Sequence, residues 1–201
     1  MTEDCWDERK PQVLSGLGES GLSEAVARAD RLFFHAALYS SFARDKAMAA
    51  ALETALSRPG FARLDMVSLD PVAGAAYWDE FRGVLRQDMP ASTMQREFSV
   101  SAAFCDELAT RHPLKVRLFV TSALPLAPIL LVDDMIYAGH YLHSPVPAPL
   151  GLWLVVPADV TVLLDMAESG ARPDALAPED RGAYRLVCEC VAARNAARRQ
   201  A

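Results

Sequence analysis

The 201-residue chain is 52% hydrophobic and carries 20 Lys and Arg against 26 Asp and Glu, a formal net charge of −6. That balance excludes a general nucleic-acid binder or a binder of anionic membranes, both of which need a basic face, and leaves room for a small anionic or phosphorylated ligand held by one or two arginines. Four cysteines (Cys5, Cys105, Cys188, Cys190) are too few and too scattered for a disulfide framework, and the acidic start MTEDCWDERK lacks a basic-then-apolar leader, so a reducing cytoplasm is the expected compartment.

Residues 1–30 read as an N-terminal arm with a short helix, and 31–201 as a single α/β domain. The arm is punctuated by Gly16, Gly18 and Gly21; Ser23 is placed to cap a helix over 23–31. Leu32–Leu38, LFFHAAL, is short, apolar and aromatic, as a buried strand should be. Ser40 and Ser41 lead into a helix over 45–58 with Met48, Leu52, Ala55 and Leu56 on one stripe, stopped by Pro59-Gly60. Phe61–Leu69 is the next strand, and Trp78, Phe81 and Leu85 mark a helix over Val72–Arg86. Ser92 and Gln95 have the spacing of a capping box, opening a helix with Phe98, Ala102, Cys105 and Leu108 on one face. Leu114–Thr121 alternates like a half-exposed strand.

The centre of the chain is Ile129–Ser144, ILLVDDMIYAGHYLHS. Two apolar runs separated by Asp133-Asp134 predict a tight antiparallel hairpin over 129–142, pairing Val132 with Met135, Leu130 with Tyr137 and Pro128 with Gly139. Leu152–Val156 is a further buried strand. Asp159 caps a helix closed by Gly170, and a last helix runs from about Glu179 with Leu186, Cys190, Ala193 and Ala197 on one stripe and Arg194, Arg198 and Arg199 in its final turns. The uncharged run Met135–Ala158 contains four prolines and cannot be one membrane-spanning helix. Strands interleaved with helices predict an α/β protein: one mixed sheet, a central antiparallel hairpin, and helices packed on both faces.

This order, with Val132-Asp133-Asp134, Ile136 and Gly139 in the hairpin, resembles the phospholipase D/nuclease superfamily over roughly 32–170. Members carry His-x-Lys-x4-Asp on one strand and a Gly-Ser step on the next. With the family aspartate at Asp133, the histidine position is Leu126, the lysine position is Pro128, Gly139 stands near the glycine, and His140 replaces the serine. Leucine offers no nucleophile and proline no charge, so the resemblance implies a cleft emptied of its phosphodiesterase chemistry.

Strand alternation places Tyr137, Gly139, Tyr141 and His143 on the cleft face and His140 opposite, among apolar neighbours. Ser40, Ser41 and Arg44, where the first strand meets its helix, are the remaining ligand-binding candidates, because ligands collect at strand carboxyl ends in α/β sheets. No catalytic set, cofactor motif or metal spacing stands out. Cys188 and Cys190 point about 200° apart on a helix, and the glycine-rich GLGESG follows no strong strand. The expectation is a non-catalytic phospholipase D-like domain that binds a small molecule or a partner protein. The alternative is a phosphoester hydrolase using His143 or His35 with Asp133 or Asp134, whose bland reading is a hairpin turn. A homodimer is expected through the sheet edge or the cleft face near Tyr141, with Trp153 as an interface anchor, as single-motif members of the resembling family pair.

Overall fold

A computed structural model describes residues 10–18, 20–70, 78–87 and 89–200. The strands are β1 (Gln12–Ser15), β2 (Arg31–His35), β3 (Arg63–Leu69), β4 (Val116–Thr121), β5 (Ile129–Val132), β6 (Met135–Ala138), β7 (Leu152–Pro157) and β8 (Arg198–Arg199). They form one sheet in the order β1-β7-β6-β5-β2-β3-β4-β8. β2, β3 and β4 run parallel, and every other neighbour is antiparallel. The helices are α1 (Leu22–Arg28), α2 (Ser40–Arg44), α3 (Lys46–Ser57), α4 (Trp78–Leu85), α5 (Ala91–Arg111), α6 (Val160–Ser169) and α7 (Pro178–Ala196).

Helices do cover both faces, and strand alternation decides which residue meets which layer. Leu32 and Phe34 of β2 point to the side where Leu22 and Val26 of α1, Leu52 and Leu56 of α3 and Cys105 of α5 are buried. Phe33 points to the other side, against Leu163 and Leu164 of α6 and Val187 and Cys190 of α7. A third apolar cluster joins Phe81 and Leu85 of α4 to Met94 and Phe98 of α5 beside the carboxyl ends of β2 and β3. The α/β architecture with a mixed sheet and central hairpin is therefore as the sequence predicts.

The hairpin keeps the predicted register: Val132 faces Met135, Leu131 faces Ile136 and Leu130 faces Tyr137. The Gly139 amide donates to the Pro128 carbonyl at 2.9 Å, but β6 ends at Ala138, so Leu126 and Tyr141 do not pair. Asp133 takes φ 42°, the left-handed conformation that a two-residue hairpin turn requires and aspartate tolerates.

Several local expectations fail. The arm holds a strand as well as a helix: Gln12–Ser15 pairs antiparallel with β7 as an edge strand. α1 starts one residue before Ser23, behind Gly21 at φ 66°, and Ser23 does not cap it. α5 starts directly after Pro90, whose carbonyl accepts from Thr93 and Met94. Proline stops the helix from extending backwards, so Ser92 lies inside the first turn and no capping box forms. Arg198 and Arg199 leave α7 and pair with β4. Asp159 does cap α6, accepting from the Val162 amide at 3.0 Å, and Gly170 closes it at φ 69°. Of the helix expected over Val72–Arg86, residues 72–77 lie outside the described residues, as do residues 1–9 of the arm and Cys5. Among the described residues no helix is long and apolar enough to cross a membrane.

Candidate ligand site

The candidate site lies where β2 ends and α2 begins. Tyr39 is buried there; its hydroxyl shares its proton between the Phe34 and Val67 carbonyls at 2.9 and 2.8 Å, and its amide donates to Ser101 Oγ. This pins the β2–α2 turn to β3 and α5. Ser40 Oγ then donates to Glu97 Oε2 at 2.5 Å, and Arg44 grips both oxygens of the same carboxylate at 2.8 and 2.5 Å. The Arg44 hydrogen bonds hold the Glu97 carboxyl below its ordinary range against the opposing effect of burial, with Ser40 assisting. Ser40 and Arg44, expected to contact ligand, are thus committed to Glu97. The sequence did hold a cue. Glu97 lies on the stripe with Met94, Ser101 and Cys105, and a carboxylate there needs a partner.

Ser41 remains available. It lines a narrow slot of about 40 Å³ with Phe42, Leu85, Arg86, Tyr141 and Trp153. That is roughly three water-sized volumes, enough for the head of a small ligand. Tyr141 enters from the segment after β6; its hydroxyl accepts from the Ala37 amide at 2.8 Å and its ring meets Phe81 edge-on at 5.7 Å. Burial pushes its phenol well above the ordinary range. Arg86 follows α4. Its guanidinium donates from Nη1 to the Leu85 carbonyl at 2.7 Å, and among the described residues no carboxylate lies within ion-pair distance of it. Burial lowers the pKa of its guanidinium, while Glu97 and the Tyr141 oxygen pull the other way. Sequence reading missed Arg86, because nothing local sets a cation just past a helix end apart from a solvated one.

The other candidates scatter. Tyr137 is buried in the core with Leu130, and burial raises its hydroxyl's pKa. Gly139 is a packing position rather than a contact: a Cβ built on it would lie 2.9 Å from Pro128 Cγ and from the Trp153 ring. Gly139→Ala should therefore cost about 1–3 kcal/mol in chemical unfolding, as forced overpacking does. A change below a few tenths would mean that the indole swings aside. His143 is exposed beside Gly83 of α4. His140 is exposed too, but its neighbours are apolar as expected: it lines a shallow depression with Leu142, Val146 and Leu152. Leu126 is 79% exposed.

The hydrolase pairing is not assembled. Asp133 accepts the amides of Asp30 and Arg31 at 2.9–3.1 Å, and the turn's carbonyls accept from Ala158 and Val160. His35 is buried at the far end of β2, about 13 Å from the turn at 3.3 Å per residue, and its Nδ1 has no hydrogen-bond partner among the described residues. Burial drops its pKa to about 4, so it is neutral near pH 7. Trp153 is 3% exposed and donates Nε1–H to the Ala148 carbonyl, so it belongs to the core and not to an interface. Cys190 is likewise buried, as its place on the stripe predicts.

Comparison with known proteins adds little beyond the fold. No family model matches the chain, and no curated protein does. Solved structures do match. TrmBL2, an archaeal chromatin protein described with a novel mode of DNA binding, is 10% identical at a TM-score of 0.42, over 84% of this chain and 53% of that one. Phosphatidylserine synthase from Haemophilus influenzae Rd KW20 is 13% identical at a TM-score of 0.49, over 80% of this chain and 37% of that one. The chain spans about half the length of the first and little more than a third of the second.

Proposed function

We propose that the chain is a non-catalytic, phospholipase D-like module that binds a small anion with a short apolar body at the carboxyl end of β2. Arg86 carries this reading. It is a partly buried cation in an otherwise apolar slot, with no described carboxylate within ion-pair distance. A carboxylate or phosphate placed there would gain a charge-assisted hydrogen bond from Arg86 and a hydroxyl from Ser41, while Leu85, Phe42 and Trp153 flank the apolar part. The hydrolase reading has less support, since both histidines are remote from the aspartates and Leu126 and Pro128 supply neither nucleophile nor cation.

The test is calorimetric titration with phenyl phosphate and with benzoate at fixed ionic strength. Arg86→Met should weaken binding roughly 10- to 100-fold, the worth of a hydrogen bond to a charged group, while His143→Ala should leave it unchanged. Absence of heat with both probes, or equal affinity in Arg86→Met, would remove the proposal. Turnover of a chromogenic phosphodiester that disappears in His143→Ala would favour the hydrolase instead.

A further inference from the structure

At the amino ends of β2, β3 and β4 the sheet gathers four arginines on one face. Arg31 and Arg63 open β2 and β3 and stand opposite one another in the parallel register. Arg117 of β4 stands opposite Asp65. Strand alternation turns these side chains to the side of Phe33, Val67 and Phe119, which pack against α6 and α7. Arg194 of α7 joins them, its guanidinium 5.8 Å from the centre of the Phe33 ring.

Carboxylates answer only part of this charge. Arg117 grips both oxygens of Asp65, while Arg63 and Arg194 reach it at 3.3 and 3.5 Å. A single Glu168 oxygen serves Arg194 at 2.7 Å, Arg31 at 3.4 Å and Arg63 at 3.8 Å. Asp165 approaches Arg31 alone, at 3.6 Å, and is 68% exposed. Among the described residues, four guanidiniums thus face three carboxylates, which leaves one positive charge unmatched. Arg63 is the least satisfied: its Nε is buried and has no hydrogen-bond partner among the described residues. Burial lowers the pKa of its guanidinium, and Arg117 and Arg31 push the same way against Asp65 and Glu168. Like charges set directly opposite in a sheet are destabilising, and a buried donor left unpaired adds to the cost. An anion seated between Arg31 and Arg63 would relieve both.

We infer that this cluster is an anion site, taking an oxyanion of the phosphate or sulfate type through Arg31, Arg63 and Arg117. Guanidinium forks match the oxygens of such an ion two at a time. The side chains of Arg31, Arg63 and Arg117 keep 18, 30 and 27% exposure, so a small ion reaches them from water. Their seat between the sheet and two helices does not suit the continuous phosphate row of a nucleic acid, and a net charge of −6 opposes one as well. The cluster lies at the opposite end of β2 from the Arg86 slot, so it stands or falls independently of that reading.

Calorimetric titration of the full chain with inorganic phosphate and with glycerol 3-phosphate, in chloride buffer of constant ionic strength, should show binding. Arg63→Met should weaken it at least about 10-fold, the worth of a hydrogen bond to a charged group. Arg31→Met serves as the second probe if Arg63→Met fails to fold, and Arg86→Met should leave this binding unchanged. The melting temperature should rise in phosphate over chloride at matched ionic strength, and the rise should vanish in Arg63→Met. Tighter binding of the ester would assign the site to a phosphoryl group on a larger molecule, and tighter binding of the free ion to phosphate itself; either supports it. No binding of either probe would overturn the inference. So would affinity that survives both Arg63→Met and Arg31→Met, or that is lost only in Arg86→Met.

Discussion

Asp65→Ala should destabilise the fold by about 3–5 kcal/mol in urea denaturation, the cost of removing one member of a buried ion pair. Asp65 is 1% exposed in the middle of β3. Arg117, its register neighbour on β4, donates Nε and Nη2 to the two carboxylate oxygens at 2.5 Å each. Arg63 Nε and Arg194 Nη1 approach at 3.3 and 3.5 Å, and Glu168 of α6 binds Arg194 at 2.7 Å while reaching Arg31 at 3.4 Å. One carboxylate thus ties strands β3 and β4 to α7, and through Arg194 to α6. Without it, three guanidiniums face one another over the sheet with only Glu168 between them. The arginines keep some contact with water, at 12–30% side-chain exposure, which places the expected loss toward the lower end of the range. Replacing both partners, Asp65→Leu with Arg117→Met, should recover part of the loss, because the best-paired guanidinium is then no longer stranded, while Arg63 and Arg194 keep only Glu168. A loss under about 1 kcal/mol for Asp65→Ala would put this network in the class of solvated surface pairs.

What the sequence made legible was what local chemistry alone decides. The two-residue aspartate turn between apolar runs set the hairpin register, because a tight two-residue turn fixes which residues of the two strands stand opposite one another. Asp159 and Gly170 bounded α6 for equally local reasons. β1 and β8 were not legible, since QVLS and RR become strands only through the edge they meet. The Asp65 cluster draws its arginines from β3, β4 and α7, far apart in the chain, and nothing in the segment around Asp65 signals them. At the candidate site, Ser40 and Arg44 were correctly placed near a strand end, yet their partner Glu97 lies on another helix. Trp153 shows the limit of composition: an uncharged aromatic run suits an interface or a core equally well, and only the indole's hydrogen bond to Ala148 and its seat on Gly139 decide for the core.

Stability should also fall as the pH drops from about 6.5 toward 4, with His35 as a principal cause. Its side chain is 2% exposed between Val67 and Ile129, and burial lowers its pKa from 6.5 to about 4. Above 6.5 neither the folded nor the unfolded chain protonates it, and its contribution is fully present. Between 6.5 and 4 the unfolded chain binds a proton that the folded chain refuses, so unfolding becomes progressively easier. Across that window the loss approaches about 3 kcal/mol, at 1.36 kcal/mol per pKa unit. His112 is lowered in the same direction by burial and by Arg111 and Lys115, while Glu97 and Glu168, both held below the ordinary carboxyl range, lose their contributions further down. The His35 share is therefore the difference between the parent and His35→Met, each followed by urea denaturation at several pH values. His35→Met should flatten the curve between 6.5 and 4 and leave the steeper acid limb in place. Parallel curves for the two proteins would mean that His35 takes up its proton as readily folded as unfolded, and that its Nδ1 has found a partner after all.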